Sequence, residues 1–205
     1  MMKKSSKKSN ESKVWFIVIV IVICVVLIGS IYYSKHKVES QVNANNYHEF
    51  QFYYDQSSEL WFTKIELNKV PYTIPYYFHP NELEDINVEE DVENIILVYR
   101  PKKIIISLPG DSSSDMAIAG IEIAKITGER YEVLNIKTVS AVNDLVEGLP
   151  YATCDNASQE VVVISFKKSN RNTVYGYNRC IILEYKEGDA VRVADAFSYS
   201  LIKVM

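Results

Sequence analysis

Residues 107 to 115 read SLPGDSSSD and come closest, in this sequence, to a reactive arrangement of side chains. They stand between a β-branched run, KIII, and an apolar run of helical character, MAIAGIEIAK. A strand, a tight loop and a helix place free N–H groups at the helix N-terminus, where an anion is stabilised. Gly110, Ser112, Ser113 and Ser114 therefore form a candidate anion-binding loop, and Ser112 is a candidate nucleophile.

The triplet Gly110-Asp111-Ser112 resembles the nucleophile motif of the GDSL-type esterases. The resemblance implies a catalytic His with a nearby Asp close to the C-terminus, and a Gly and an Asn in two middle blocks. The chain has no His after His79, and Asn143-Asp144 lacks the accompanying Gly. A serine without a base is an ordinary hydroxyl. We therefore expect no catalytic residue in this loop, with Ser112 or Ser114 capping the helix and Asp115 complementing its dipole.

A second set of candidate ligands is the acidic segment between residues 82 and 93. It holds seven carboxylates, namely Glu82, Glu84, Asp85, Glu89, Glu90, Asp91 and Glu93. Calcium binds several carboxylate oxygens, but the D-x-D-x-D-G spacing of a calcium loop is missing. We interpret the segment as a solvated turn. His79, Glu82 and Asp85 have the side-chain types of metal ligands, yet three residues within seven positions are a weak signal, so we expect no metal and no cofactor.

The N-terminal region contains an unbroken apolar run from residue 14 to residue 28, which continues through Gly29 and Ser30 to Tyr33. At ~1.5 Å per residue its length matches the ~30 Å hydrocarbon layer of a membrane. A cleaved signal peptide is the alternative, but Ile28, Ile31, Tyr32 and Tyr33 crowd the positions around Gly29 and Ser30, where cleavage needs small residues. We expect residues 14–33 to be a retained transmembrane helix.

The distribution of lysines predicts the orientation of that helix. Five lysines precede it, and only Lys35 and Lys37 follow closely. Lysines stay on the cytoplasmic side, so the expected topology is a single-pass cell-membrane protein with residues 1–13 as a cytoplasmic tail. Removing the tail's net charge of +4 from the chain's −4 leaves −8 for the outer part. An acidic outer part argues against nucleic-acid binding, which needs basic patches.

Cysteine usage agrees with an extracytoplasmic location. Cys24 lies inside the apolar run, and Cys154 and Cys180 lie in the outer part, where a pair stays oxidised. We expect a disulfide between Cys154 and Cys180. A two-Cys metal site is the alternative, but no His lies near them in sequence. Asn156-Ala157-Ser158 is a glycosylation sequon, which makes Asn156 a candidate modification site.

The outer part divides into a polar stalk, residues 34–59, and a domain, residues 60–205. The alternation in LWFTKIEL predicts a strand at 60–67. Further strands are predicted at 95–99, 104–108, 131–136, 160–166 and 180–185, and helices at 115–127, 138–147 and 190–202. In the helix at 115–127 Glu122 falls in a polar stripe, which predicts that it faces solvent.

Alternating strands and helices predict an α/β domain, specifically a three-layer sandwich with a mixed, mainly parallel sheet. The strands at 104–108 and 131–136 should be parallel across their helix. The strands at 160–166 and 180–185 lack an intervening helix, which leaves an antiparallel arrangement open.

The N-terminal anchor together with ATCDNAS, NRCIILEY and VADAFSYSLIKVM resembles small membrane-anchored archaeal proteins of uncharacterised activity, over roughly the last 130 residues. This resemblance implies a location and no chemistry. The leading functional hypothesis is an envelope module that binds or supports a protein or glycan ligand. The alternative is an envelope hydrolase that uses Ser112 or an acidic pair.

Overall fold

The computed structural model describes residues 8–44, 46–67, 69–110 and 113–205. The chain forms two compact units, residues 1–45 and 46–205. In the first unit, helix α1 spans Lys8–Ala44. Within it Val14–Tyr33 is long and apolar enough to cross a membrane, and none of its side chains is buried in the protein.

The region expected to be a stalk contains regular structure instead. Helix α1 continues to Ala44, because residues 34 to 44 contain no Pro or Gly to end it. The second unit begins at Asn46, ahead of the expected domain start at residue 60. The first strands of this unit contain aromatic residues of the expected stalk. One of them, Phe52, is 4% exposed and so belongs to the core.

The second unit contains two sheets. The first is antiparallel with strand order β1-β2-β3-β4. Its strands are β1 (Asn46–Tyr47), β2 (Phe50–Asp55), β3 (Leu60–Leu67) and β4 (Val70–Tyr76). β3 confirms the predicted strand at 60–67, and its buried Thr63 and Ile65 alternate with exposed Lys64 and Glu66.

The second sheet is mixed and has six strands in the order β5-β9-β10-β8-β6-β7. Its strands are β5 (Asn87–Val88), β6 (Lys103–Leu108), β7 (Lys137–Val142), β8 (Val161–Lys168), β9 (Thr173–Tyr177) and β10 (Cys180–Tyr185). Only the β9–β10 pairing is antiparallel. The helices of this unit are α2 (Asn94–Leu97), α3 (Ser114–Thr127) and α4 (Ala190–Leu201).

One face of this sheet forms the main core. Ile106 of β6, Ile164 of β8 and Ile181 of β10 lie side by side in register. They belong to one buried cluster with Ile123 of α3 and Phe197 of α4. The apolar periodicity of the two helices is thus explained by burial against each other and against this face.

Three predicted elements between residues 95 and 147 were wrong, whereas the strand at 104–108 and the helix at 115–127 are present as β6 and α3. Residues 95–99 do not form a strand, because α2 occupies Asn94–Leu97. No strand forms at 131–136, and the helix expected at 138–147 is replaced by strand β7, where Val139 pairs in parallel with Ile105. β-Branched residues in Lys137–Val142 favour extended backbone, and this preference outweighs the helical spacing of the apolar residues.

The strands at 160–166 and 180–185, now β8 and β10, are parallel neighbours. The antiparallel alternative for this pair is therefore wrong. β9, which we did not predict, lies between them in sequence and pairs antiparallel with β10. The chain therefore reverses direction twice between β8 and β10, which makes these two strands parallel. The mixed character of the sheet is confirmed.

Candidate functional site

The four neighbouring parallel strands β7, β6, β8 and β10 end together at one edge of the sheet. The chain leaves β6 through α3 to β7 on one side, whereas it leaves β8 towards β10 on the other. In open α/β sheets a crevice forms where the connections diverge in this way, and ligands bind there. A ligand site is therefore expected at the carboxyl ends of β6 and β8.

A groove of about 570 Å³ lies at this edge. This volume is within the range of small-molecule sites, ~300–1,000 Å³. Ile182 and Ser165, which are opposite each other in register, lie on the sheet face away from the core. The remaining lining residues are Pro109, Asn143, Asp144, Thr153, Cys154, Asp155, Phe166, Lys167, Lys168 and Tyr185. The groove combines an apolar floor with several polar side chains on its walls.

One wall of the groove is the irregular segment 143–157, which is fixed to the sheet at both ends. Cys154 forms a disulfide with Cys180 at the start of β10, with 5.3 Å between their Cα atoms. The Asn143 amide donates to the carbonyl of Phe166 at 2.8 Å. Ser107, which is buried, donates to the carbonyl of Ala152 at 2.5 Å. The predicted disulfide is present, and its location gives it a role in shaping the groove.

Lys167 lines the groove and contacts a buried carboxylate, that of Glu184. Glu184 is 3% exposed and accepts from Arg171 Nε at 2.6 Å and from Lys167 Nζ at 3.1 Å. The Arg171 hydrogen bond outweighs the effect of burial and, with Lys167, lowers the pKa of Glu184 from 4.5 to about 2. Glu184 thus holds Lys167 beside the groove, and Lys168, the other cation of the lining, pairs with Glu187 at 3.2 Å.

A smaller cavity of about 170 Å³ adjoins the groove between the N-termini of α3 and α4. It shares Pro109, Lys168 and Tyr185 with the groove, and Ser113 and Asp115 also line it. Pro109 and Ser113, at the two ends of the loop that follows β6, thus bring the candidate anion-binding loop next to this smaller cavity. The N–H of Gly110 is already bonded to the Asp144 carboxylate at 3.0 Å.

The prediction that Ser114 caps α3 was wrong. The N-cap residue is Ser113, with extended backbone, and its side chain makes no capping hydrogen bond. Ser114 is the first helical residue. The prediction for Ser112, as cap or as nucleophile, lies outside the described residues, as does Asp111.

His79, the last histidine in the sequence, is buried among aromatic rings. Its ring lies 4.8 Å from the Phe52 ring and 4.7 Å from the Trp61 ring, centroid to centroid. The ring Nδ1 of His79 accepts from the backbone N–H of Asn81, and the backbone N–H of His79 donates to the Glu82 carboxylate at 2.7 Å. These bonds form the capping box of a short 3-10 helix, Pro80–Glu82. His79 and Glu82 therefore have a structural role, and Asp85 pairs with Arg192 at 2.6 Å.

Sequence reasoning missed a buried polar cluster between α3, α4 and the end of β4. Glu122 was expected to face solvent, but it is 5% exposed and forms an ion pair with Lys125, which is equally buried. The prediction was wrong because α4 covers this side of α3, where Ser198 donates to the carbonyl of Glu122 at 3.0 Å. Only the packing of two helices distant in sequence shows this.

Asp195 of α4 completes the buried cluster. It is fully buried, and its Oδ2 accepts from the N–H groups of Tyr77 and Phe78, each at 3.0 Å. Its Oδ1 accepts from no donor among the described residues. Burial, followed by the adjacent Glu122 carboxyl, raises the pKa of Asp195 well above its ordinary value of 3.8. Asp195 therefore keeps its proton to a higher pH than an exposed aspartate does.

Comparison with known proteins adds no assignment to this geometry: the chain matches no protein-family model, no curated protein and no solved structure.

Proposed function

We propose that this chain is a single-pass membrane protein whose C-terminal domain lies outside the cytoplasm and holds a protein or glycan ligand in the groove at the carboxyl edge of its sheet. The observation that carries the proposal is the groove itself, because it lies where the connections of the sheet diverge. Its disulfide-bonded wall gives the groove a fixed shape before any ligand arrives.

The orientation in this proposal follows from the lysines and the cysteines. The lysine-rich tail before the apolar helix favours a cytoplasmic N-terminus. The Cys154–Cys180 bond is typical of a domain in an oxidising compartment. The expected three-layer arrangement belongs to this proposal as well. Helices α3 and α4 contribute to the core on one sheet face, and the segment 143–157 with its ligand would form the layer on the other.

A large ligand is favoured by the apolar side chains exposed beside the groove. Leu145, Leu149 and Tyr151 belong to the same segment as the groove wall and are 87%, 49% and 48% exposed. Exposed apolar side chains next to a shaped cavity are typical of surfaces that bind a macromolecule. An ester-sized substrate would leave these side chains in water.

The alternative of an envelope hydrolase requires a base for Ser112 or a reacting pair of carboxyls. Among the described residues, those lining the groove and the smaller cavity include no histidine. We therefore favour binding over hydrolysis. Replacement of Ser112 by Ala separates the two, because it should leave ligand capture unchanged and would abolish any hydrolysis that depends on that hydroxyl.

The test is photo-crosslinking in intact cells with a benzoylphenylalanine at position 168 or, in a second variant, at position 155, both of which line the groove. Position 64, exposed on β3, carries the same group as a matched control. We expect one adduct of defined mass at position 168 and none at 64, and we expect Cys154→Ala with Cys180→Ala to weaken it by releasing the wall. Equal adducts at both positions, or none at 168 and at 155, would refute the groove as the binding site.

A further inference from the structure

A third cavity, of about 480 Å³, lies on another part of the second unit. Its walls come from the end of β3, from α2, from the segment 133–136 and from the end of α4. They are aliphatic, with Leu67, Ile96, Leu134, Ile136 and Leu201 among them. Cavities of this volume and apolar character, with a few polar groups, are typical ligand sites.

The walls of this cavity, which we term the aliphatic cleft, are held in place without a ligand. The N–H of Leu134 donates to the carbonyl of Ile126 at 3.0 Å, and that of Ile136 to the carbonyl of Thr127 at 2.9 Å. Tyr72 fixes the preceding residue, because its hydroxyl donates to the carbonyl of Glu132 at 3.0 Å. The segment 133–136 is thus attached to both α3 and β4 although it pairs with no strand.

The two polar side chains that line the aliphatic cleft are both cationic, Arg100 and Lys203. Lys203 forms an ion pair with Glu93, which is 7% exposed. Arg100 is exposed and forms no ion pair with any residue that the structure describes. The cleft therefore presents an uncompensated positive charge in a domain whose overall charge is negative.

The backbone around the aliphatic cleft is also unusual. Arg100, Lys203, Glu132 and Asn135 have φ values of 48°, 62°, 57° and 52°. Residues other than glycine rarely adopt this left-handed conformation, and such residues concentrate at functional sites. Arg100 and Lys203 lie shortly after the ends of α2 and α4, so these left-handed residues reverse the chain beside the cavity that they line.

We propose that the aliphatic cleft binds a single-chain amphiphile with an anionic head, specifically a long-chain fatty acid. The aliphatic walls bury the hydrocarbon chain, and the guanidinium of Arg100 binds the carboxylate as a planar pair of donors. A neutral apolar ligand would leave the Arg100 charge uncompensated, and an apolar peptide would not use it. This site is separate from the groove and does not depend on it.

The experiment uses the full chain in its native membrane and a hexadecanoic acid that carries a photoreactive diazirine near the end of its chain. Hexadecanol with the same diazirine is the matched neutral probe. After illumination, adducts are mapped by peptide mass spectrometry. The apolar helix Val14–Tyr33 should react with both probes and so reports equal delivery.

We expect the acid probe to label peptides that contain 95–101 and 133–136, and we expect Arg100→Gln to reduce this labelling about fivefold, which is the effect of roughly 1 kcal/mol. Labelling by the alcohol should be weaker and should not change in Arg100→Gln. Lys64→Gln, which removes an exposed cation elsewhere, should change neither. Because Arg100 is exposed, its variant keeps the fold.

Two results would overturn the proposal. Adducts confined to the apolar helix, with none in the cleft peptides, would show that no amphiphile binds there. Equal labelling of the cleft by acid and alcohol, unchanged in Arg100→Gln, would show that the anionic head is not recognised. Leu134→Trp is an independent test. Its larger side chain should fill the cavity and abolish the cleft adducts of both probes.

Discussion

Replacement of Asp195 by Asn tests the proton that the buried cluster is inferred to hold. In the folded protein the raised pKa of Asp195 keeps this proton at pH values where the unfolded chain, with an ordinary pKa of 3.8, has lost it. The folded state therefore binds one more proton than the unfolded state above pH ~4. Stability from this group is complete below the unfolded pKa and is lost as the pH rises towards the folded pKa.

The magnitude follows from that single proton. It lowers the free energy of unfolding by about 1.4 kcal/mol per pH unit for as long as the folded pair keeps the proton. An Asn at position 195 can accept from the N–H groups of Tyr77 and Phe78 and donate to Glu122 without any proton uptake. The stability of Asp195→Asn relative to the wild type should therefore increase with pH above the unfolded pKa, with a slope of up to about 1.4 kcal/mol per pH unit.

Urea unfolding of the wild type and the variant at several pH values measures this difference. Asp195→Ala distinguishes the proton from the hydrogen bonds, because it leaves two backbone donors without their acceptor and should cost about 2–5 kcal/mol. Glu66→Gln, on the exposed side of β3, controls for adding an amide. A difference between Asp195→Asn and wild type that stays constant from pH 5 to pH 8 would refute the shared proton.

Three further predictions concern stability. Breaking the disulfide with Cys154→Ala and Cys180→Ala, which are 26 residues apart, should lower the free energy of unfolding by about 3.5 kcal/mol on the chain-entropy estimate, measured by urea unfolding. Glu184→Gln should cost about 1–2 kcal/mol at pH 7 and nothing near pH 2, because the lowered pKa stabilises the fold above the unfolded value of 4.5 and this stabilisation is lost as the pH falls to about 2; equal costs at both pH values would contradict it. Lys125→Met should destabilise by about 3 kcal/mol in thermal unfolding, since it leaves the Glu122 carboxyl buried without its cation, and an unchanged melting temperature would contradict this.

Elements with strong local signals were predictable from the sequence. The strand at 60–67 alternates along its length, the helix at 115–127 has a continuous apolar face, and the run at 180–185 is β-branched. All three form close to their predicted bounds. The Cys154–Cys180 bond was predictable because few other partners existed.

Elements decided by distant contacts were not predictable. The apolar segment 131–136 has the composition of a strand, but its side chains line the aliphatic cleft and no strand pairs with it. In the same way, apolar residues at 139, 142 and 146 have helical spacing, yet Val139 and Val142 belong to β7, which is held by β6. Local pattern and long-range pairing conflict at these positions, and pairing prevails.

The lining of the groove was not predictable from the sequence. The loop after β6, which the sequence marked as a candidate anion site, contributes Pro109 to the groove, and its Ser113 lines only the smaller cavity. Lys167 and Lys168 belong to the groove because β8 ends beside β6, and these two neighbouring strands are separated in the chain by α3 and β7. The burial of Glu122 and Asp195 was not predictable, because these two residues are 73 positions apart in sequence and lie on different helices.

The most direct test of the account is the side of the membrane on which the domain lies. Single cysteines at positions 10 and 64, one before the apolar helix and one on β3, are labelled in intact cells with a membrane-impermeant maleimide, with the wild type as background control. We predict labelling at position 64, and labelling at position 10 only after the membrane is opened. Labelling at position 10 with protection of position 64 would place the domain in the cytoplasm and contradict the proposed function.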